Sequence, residues 1–186
     1  MSAQALEIIT PRLRLWLPDP SRAACVLRYF DRNRRHLEVW EPARPLDFYT
    51  ADFWEKRLAE NREDAEEGRC LRYFLELRSD PATPIVGAVN FTNVIRGAFR
   101  ACHLGYSLAE RWQGQGLMHE ALEGALPAAF ARLELHRVMA NYQPRNERSG
   151  RLLERLGFAR EGYAKDYLFI DGAWRDHVLT ALVRTS

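Results

Sequence analysis

The chain has 186 residues, 47% of them hydrophobic, and its acidic and basic residues nearly cancel to a formal charge of +2. This length suits one well-packed domain, and the near balance argues against a nucleic-acid binder, which usually has a concentrated basic face. We therefore expect a single domain over residues 1–186 with no direct nucleic-acid site.

Cysteine spacing and hydropathy predict where the protein resides. Cys25, Cys70 and Cys102 are far apart, without a metal-ligand spacing, so we expect reduced thiols and no metal. Arg12 and Arg14 stand where a signal peptide needs an apolar core, and no stretch approaches the length of a membrane span. The sequence predicts a cytoplasmic protein without membrane contact.

Strand and helix patterns alternate along the chain, with Pro, Gly and Asp-Gly at their ends. The predicted strands are 12–18, 71–78, 85–94, 101–108, 136–143, 163–170 and 174–183. The predicted helices are 22–37, 51–67, one that begins after Gly116, and 146–158, with loops or turns at 38–49, 80–84 and 171–172. This order predicts a mixed α/β fold, a central and mostly antiparallel mixed sheet flanked by four helices.

A glycine turn joins strand 101–108 to the longest predicted helix. From Leu117 to Leu133 apolar residues recur on one helical face. The first N–H groups of a helix lack intrahelical partners and carry the positive end of the helix dipole, so they suit an anion. Gly114 and Gly116 would let a phosphate approach the backbone. An ordinary turn that needs a positive φ would use the same glycines.

Two common phosphate-binding turns do not match these residues. A P-loop requires Gly-Lys-Ser or Gly-Lys-Thr, but Leu117 and Met118 follow Gly116. A dinucleotide-binding turn requires another glycine where the chain has His119, and it requires a different strand order. By itself, the turn indicates an anion site without identifying the anion.

The pattern Arg111-x-x-Gly114-x-Gly116 resembles the acetyl-CoA pyrophosphate loop of the GCN5-related N-acetyltransferases, whose signature is Gln/Arg-x-x-Gly-x-Gly/Ala. The predicted element order is also similar to that family's fold. The segments VWEP, NFTNVIRGAF, LGYSL, MANYQPRNERSG and DGAWRDHVLTAL resemble its RimJ-type branch, the ribosomal-protein-alanine N-acetyltransferases. This likeness extends over residues 8–184.

The resemblance implies direct acetyl transfer, within a ternary complex, from acetyl-CoA to the N-terminal α-amine (Ala or Ser) of a small-subunit ribosomal protein. It also implies an association with ribosome precursors. The residues that it implies for acetyl-CoA binding are Tyr106, Ser107, Leu108, Arg111, Gln113, Gly114, Gln115, Gly116, Leu117, Met118 and Asn146. Backbone N–H groups of 113–118 would bind the pyrophosphate, and an N–H of strand 105–108 would stabilise the oxyanion.

Ser149 is the residue that the resemblance identifies as proton or hydrogen-bond donor to the coenzyme A sulfur. In a helix that begins at Asn146, Ser149 shares one face with leucines at 152, 153 and 156. A serine bonded to the carbonyl four residues earlier would show the same pattern, and Tyr142 is the rival donor. Asn146 is also a preferred helix cap, a role compatible with a place near the pantetheine or a water.

The sequence leaves the identity of the general base open. An α-amine has a pKa of about 8 and a lysine amine about 10.4, a difference of about 3 kcal/mol, so a water chain would serve an N-terminal acceptor. Glu41, whose region lines the acceptor side in relatives, is the candidate base or amine anchor; a solvated carboxylate is the alternative. His103 is more typical of strand packing, and Leu168 stands where some relatives have a hairpin Glu.

Other functions also stay open. A small amine or a lysine side chain is an alternative acceptor, and a non-catalytic coenzyme A-binding protein of ribosome assembly or regulation is an alternative class. An acetylated Cys102 would need a base that the sequence does not pair with it. Pro127 inside the long helix should cost about 3 kcal/mol unless that helix kinks.

Overall fold

A computed structural model describes residues 7–79 and 85–184, so the turn predicted at 80–84 lies outside the described residues. The described residues form eight strands and five α-helices. The strands are β1 (Ile8–Ile9), β2 (Leu13–Trp16), β3 (Leu71–Leu77), β4 (Gly87–Ile95), β5 (Ala101–Leu108), β6 (Arg137–Met139), β7 (Ala159–Ile170) and β8 (Ala173–Val183). The helices are α1 (Ala23–Arg32), α2 (Arg34–Glu38), α3 (Ala51–Glu66), α4 (Leu117–Arg132) and α5 (Glu147–Arg155).

The strands form one sheet in the order β1-β2-β3-β4-β5-β6-β8-β7. Among the described strands every neighbouring pair is antiparallel except β5–β6, which is parallel. Helix α4 makes the crossover that this parallel pair requires. The predicted mixed, mostly antiparallel sheet is confirmed.

The helix predicted over 22–37 is wrong as one element, because it divides at Asn33 into α1 and α2. The backbone N–H and the side-chain amide of Asn33 both donate to the Tyr29 carbonyl, at 3.2 and 2.8 Å. A side chain that bonds to the backbone in this way competes with helix continuation. The described residues therefore contain five α-helices rather than the predicted four.

Strand β6 is shorter than the predicted 136–143, and this difference creates the opening of the site. It pairs with β5 only opposite residues 101–103. Beyond it the chain continues alongside β8, with which β6 is already paired, and Tyr142 and Val178 form an isolated bridge. Within the described part of the chain, the rest of β5 therefore lacks a partner strand on its β6 side, and a gap opens between the two strands.

Two cores cover the two faces of the sheet. One lies beneath α4 and α5 and includes buried residues of β2 to β6. The other packs α1 and α3 against β3, with the rings of Phe30 and Trp54 stacked 4.8 Å apart and Phe74 beside them. Helix α4 runs through Pro127, which lies on its exposed side, while its opposite face is buried.

The outer hairpin is irregular in register. Strand β7 forms the edge of the sheet, and its pairing with β8 shifts between residues 160 and 162 and again between 164 and 168. Asp166, inside the second bulge, has a φ of 47° and donates its N–H to the Asp176 carboxylate at 2.9 Å. The bulge projects Tyr167 towards His177 of β8, with ring centroids 5.3 Å apart.

The N-terminal strands support the start of α4 through Glu120. One oxygen of this carboxylate accepts hydrogen bonds from the Thr10 hydroxyl and the Arg12 N–H, at 2.6 and 2.7 Å, and the other pairs with the Arg12 guanidinium. Arg12 also donates to the Gln115 carbonyl at 2.9 Å. Burial alone would raise the pKa of Glu120, but these hydrogen bonds hold that pKa below its usual value.

Replacing Glu120 with Gln is expected to lower the free energy of unfolding by about 1–2 kcal/mol at neutral pH, because charge-assisted hydrogen bonds are lost. Since the folded-state pKa lies below the usual 4.5, this contribution is complete above that pH and disappears as the pH falls through the folded value. Urea unfolding of the wild type and of Glu120→Gln between about pH 7 and about pH 3 measures the difference in their free energies of unfolding. Glu123→Gln is the control, because Glu123 is an exposed carboxylate whose partner is His119. If the difference between the wild type and Glu120→Gln did not depend on pH, the role assigned to the Glu120 carboxylate would be contradicted.

Gly87→Ala is expected to destabilise the fold by about 1–3 kcal/mol, because a Cβ there overpacks the sheet. That atom would lie 2.7 Å from the carbonyl oxygen of Ser107 and 2.9 Å from the Leu108 side chain. Gly105→Ala on β5 is the matched control, since its added Cβ meets no described atom within 4 Å. Thermal unfolding of the two variants compares them, and equal stability would refute this packing argument.

Candidate active site

A cavity of about 1110 Å³ opens where β5 and β6 separate. Its walls are the end of β5, the glycine turn with the start of α4, the segment that leads from β6 into α5, and α2 with the loop after it. A cavity of this size is large enough for a long ligand that reaches from a helix terminus into the sheet.

The glycine turn provides the anion-binding end of this cavity. Gly114 and Gly116 have φ values of 74° and 76°, in the left-handed region that favours glycine, and Gly116 is the N-cap of α4. Among the described residues no side chain caps the helix, so its first N–H groups are available to a ligand. A Cβ added at Gly114 meets no described atom within 4 Å, so the backbone here is open to a phosphate. These features fit a pyrophosphate.

Most of the residues that the resemblance implies for acetyl-CoA line the cavity. They are Tyr106, Ser107, Leu108, Gln113, Gly114, Gly116, Leu117, Met118 and Asn146. Arg111 and Gln115 are not part of the lining. The guanidinium of Arg111 lies 5.2 Å from the Trp112 ring centroid, and the Gln115 amide donates to the Arg111 carbonyl.

Ser149 and Tyr106 form a hydrogen-bonded pair within the cavity, which the sequence analysis did not foresee. The Ser149 hydroxyl lies 2.6 Å from the Tyr106 hydroxyl, which is on β5. Burial raises the pKa of Tyr106 to about 12, although the bond to Ser149 opposes the shift. Tyr106 is therefore protonated at neutral pH and can donate to Ser149, which leaves the serine proton free for a ligand.

Asn146 fixes the position of Ser149. Its side-chain oxygen accepts the Ser149 N–H at 3.2 Å, so the predicted N-cap of α5 is confirmed. Tyr142, the rival donor, lines the same cavity and packs against Gly150, where an added Cβ would lie 2.9 Å from the tyrosine oxygen. A glycine at this position therefore allows the Tyr142 ring to lie directly against α5.

The loop after α2 covers the other side of the cavity. The Val39 carbonyl accepts a hydrogen bond from Arg145 at 3.0 Å, and the Arg145 guanidinium lies 5.1 Å from the Trp40 ring centroid. Glu41 lines the cavity next to Trp40, and its carboxylate forms an ion pair with Arg44. The candidate acidic residue therefore lies at the site, with its charge already paired.

A second unforeseen contact crosses the cavity near the glycine turn. The side-chain amide nitrogen of Gln113 lies 2.8 Å from Nε2 of His36, and its oxygen accepts from Arg148 at 2.6 Å. Gln113 thereby connects α2 with α5. A sequence pattern could not reveal this contact, because the three residues are distant along the chain.

Three residues weighed in the sequence do not line the cavity. His103 has a buried Nδ1 without a hydrogen-bond partner in the described part of the chain, and burial lowers its pKa. Burial raises the pKa of the Cys102 thiol to about 12, so Cys102 is not an activated nucleophile. Leu168 is partly exposed on β7.

The described residues offer neither a metal site nor a membrane helix. Within 7–79 and 85–184, no three His, Cys, Asp or Glu side chains are grouped so that they could hold a metal ion. In the same ranges, every helix is too short or too polar to cross a bilayer.

Known proteins resemble this chain in sequence and in fold. The family described as acetyltransferase (GNAT) domain matches residues 12–159. The [ribosomal protein uS5]-alanine N-acetyltransferase of Escherichia coli K12 is 46% identical over 177 residues, which are 95% of this chain and 90% of that protein.

Two solved structures share the fold. The ribosomal-protein-S5-alanine acetyltransferase from Vibrio fischeri has a TM-score of 0.90 and 38% identity, and the match covers 96% of both chains. RimJ from Mycobacterium smegmatis, solved with CoA-disulfide, has a TM-score of 0.84 and 33% identity, over 95% of this chain and 85% of that one. On the family match, the sequence identity and this fold, the chain belongs to the GNAT acetyltransferase family.

Proposed function

We propose that the protein transfers the acetyl group of acetyl-CoA to the N-terminal α-amine of a small-subunit ribosomal protein, with alanine or serine as the first residue. The observation that carries this proposal is a single cavity with an open glycine turn at one end and the Tyr106–Ser149 pair within it. The names of the E. coli and V. fischeri relatives support the ribosomal acceptor.

The donor substrate lies along β5 in this proposal. Free N–H groups at the start of α4 bind the pyrophosphate, with Gly114 and Gly116 allowing its close approach. Beyond residue 103 the β5 backbone has no partner on its β6 side among residues 7–79 and 85–184, so its polar groups are available to the pantetheine arm. One N–H there stabilises the oxyanion, an interaction typically worth about 3–4 kcal/mol.

Ser149 acts as the proton donor to the leaving sulfur. Tyr106 donates to the Ser149 oxygen, which orients the serine proton towards the ligand and supports its transfer. Asn146 fixes the helix turn that carries the serine. Thiolate departure then needs no metal or covalent enzyme intermediate, and transfer takes place directly between the two bound substrates.

Glu41 anchors the acceptor amine. Glu41 lines the cavity from the loop after α2, and its carboxylate pairs with Arg44 through Oε2, so Oε1 can accept a hydrogen bond from an ammonium group. The ion pair with Arg44 holds that carboxylate in place.

Three acceptors test which class of amine is acetylated: an N-terminal α-amine, a lysine side chain and a polyamine. The protein is incubated with acetyl-CoA and a peptide that begins with Ala or Ser, the same peptide blocked at its N-terminus but containing Lys, or a polyamine. Release of free thiol is expected with the unblocked peptide, because its α-amine has the lower pKa, about 8 against about 10.4 for lysine. Release confined to the blocked peptide or to the polyamine would refute the proposed acceptor.

Two substitutions are expected to separate chemistry from binding. Ser149→Ala should lower kcat about 100-fold, a typical loss for a missing acid catalyst, with little change in the Kd of acetyl-CoA. Gly114→Val should raise that Kd about tenfold or more, equivalent to about 1.4 kcal/mol, because its side chain would stand where the phosphate approaches. Steady-state kinetics and calorimetric titration of both variants measure this contrast; an unchanged kcat in Ser149→Ala would remove Ser149 from the mechanism.

A further inference from the structure

His177 is a buried histidine of the cavity to which the mechanism above gives no role. It lies on β8, one residue before the bridge between Val178 and Tyr142, and is only 3% exposed. It lines the same cavity as Ser149 and Glu41. A buried imidazole in a substrate cavity is a candidate for proton transfer when one ring nitrogen can reach the ligand.

The hydrogen bonds of His177 determine which ring nitrogen can accept a proton. Nδ1 lies 3.0 Å from the Arg175 carbonyl oxygen, which can only accept, so Nδ1 carries the hydrogen in the neutral ring. Nε2 then has the lone pair. Nε2 has no hydrogen-bond partner within the described residues, but it keeps some solvent-accessible surface. Because His177 lines the cavity, a ligand there can reach Nε2.

Neighbouring side chains hold the imidazole in this orientation. The Tyr167 ring packs against it with an interplanar angle of 54°. The Tyr167 hydroxyl accepts a hydrogen bond of 3.2 Å from the Asn141 amide, in the segment after β6. The ring is thus supported from β7, from its own strand and from the edge of the gap between β5 and β6.

Charged groups near His177 are bonded to other partners. On β8, the Arg175 guanidinium donates to the Ile170 and Asp171 carbonyls at 3.1 and 3.2 Å. Asp176 directly precedes His177 on β8, so the side chains of these two residues point to opposite faces of the hairpin.

There the carboxylate of Asp176 accepts hydrogen bonds from the Tyr163 hydroxyl and the Asp166 N–H. The neighbours from the packed elements are the Tyr167 ring and the Asn141 amide, while Glu41, which also lines the cavity, pairs with Arg44. Nε2 of His177 therefore combines a free lone pair with access to the cavity.

We propose that Nε2 of His177 accepts the proton of the acceptor amine and is the general base of the transfer. This inference rests on the proposed function, because it concerns the acceptor of the same site. Glu41 attracts the ammonium by charge, and His177 removes the proton. The two groups thus divide anchoring and deprotonation between them.

The acceptor nitrogen loses two protons in this transfer, one before and one after the C–N bond forms. An ammonium N–H bond breaks, the proton moves to Nε2 of His177, and the freed electron pair forms the C–N bond to the thioester carbonyl carbon. The C–S bond then breaks as the oxyanion re-forms the carbonyl, and the sulfur takes the Ser149 proton. The second proton lost by the nitrogen restores the Ser149 hydroxyl. One net proton is released, and it passes from His177 to solvent.

His177→Gln tests this role, since Gln keeps a polar group at the site but cannot take up a proton. We expect kcat/KM for an Ala peptide to fall about 100-fold at about pH 6.5, because the amine is then protonated. The loss should shrink as the pH rises through the amine pKa of about 8, because a free amine needs no base. His103→Gln is the matched control, a strand histidine outside the cavity lining, and it should show no such pH-dependent loss.

A loss in His177→Gln that is the same at every pH, or no loss, would overturn the proposal. The same comparison uses whichever amine the wild-type protein acetylates, so an unexpected acceptor refutes the proposed function without affecting this test. Nitrogen NMR of labelled histidine provides a measurement independent of turnover, assigned by the signal missing from His177→Gln. A neutral ring protonated at Nδ1 supports the proposal, and a neutral ring protonated at Nε2 overturns it.

Discussion

The early end of the pairing between β5 and β6 is the constraint on which the site depends. Two parallel strands that stayed paired would satisfy each other's backbone groups and would leave no space for a ligand. Here pairing with β5 stops after His103, and the chain beyond Met139 keeps only its contact with β8. Polar backbone groups of β5 are thereby left for a substrate, and the cavity brings the glycine turn, Tyr106 and Ser149 to one opening.

Local patterns predicted much of this architecture. The glycine turn, the long helix after it and the Asn146 cap depend on residues close in sequence, so periodicity and cap preference were sufficient. The division at Asn33 was not predictable, because it depends on whether one side chain bonds to the Tyr29 carbonyl. The short β6 escaped prediction for another reason: residues 140–143 keep an extended pattern and their contact with β8, but they lose the pairing with β5.

Most site residues were predicted from the family resemblance, because the residues alone indicated only an anion site at the glycine turn. Ser149 and the glycine turn follow from matched motifs, and Ser149 does share a helix face with buried leucines. Its bond to Tyr106 joins residues 43 positions apart, and no spacing rule predicts such a contact. The tautomer of His177 depends on a backbone carbonyl two residues away in a particular strand geometry. Contacts of this kind can be identified only once the fold is known.

The irregular β7–β8 hairpin has a consequence for how copies of the protein meet. An outermost strand with an even row of free N–H and C=O groups invites a strand from another molecule to add to the sheet. Strand β7 is such an edge, but its two register shifts interrupt that row, and Lys165 and Asp166 place charges within the second one. The bulge that brings Tyr167 against His177 therefore also disfavours edge-to-edge self-association.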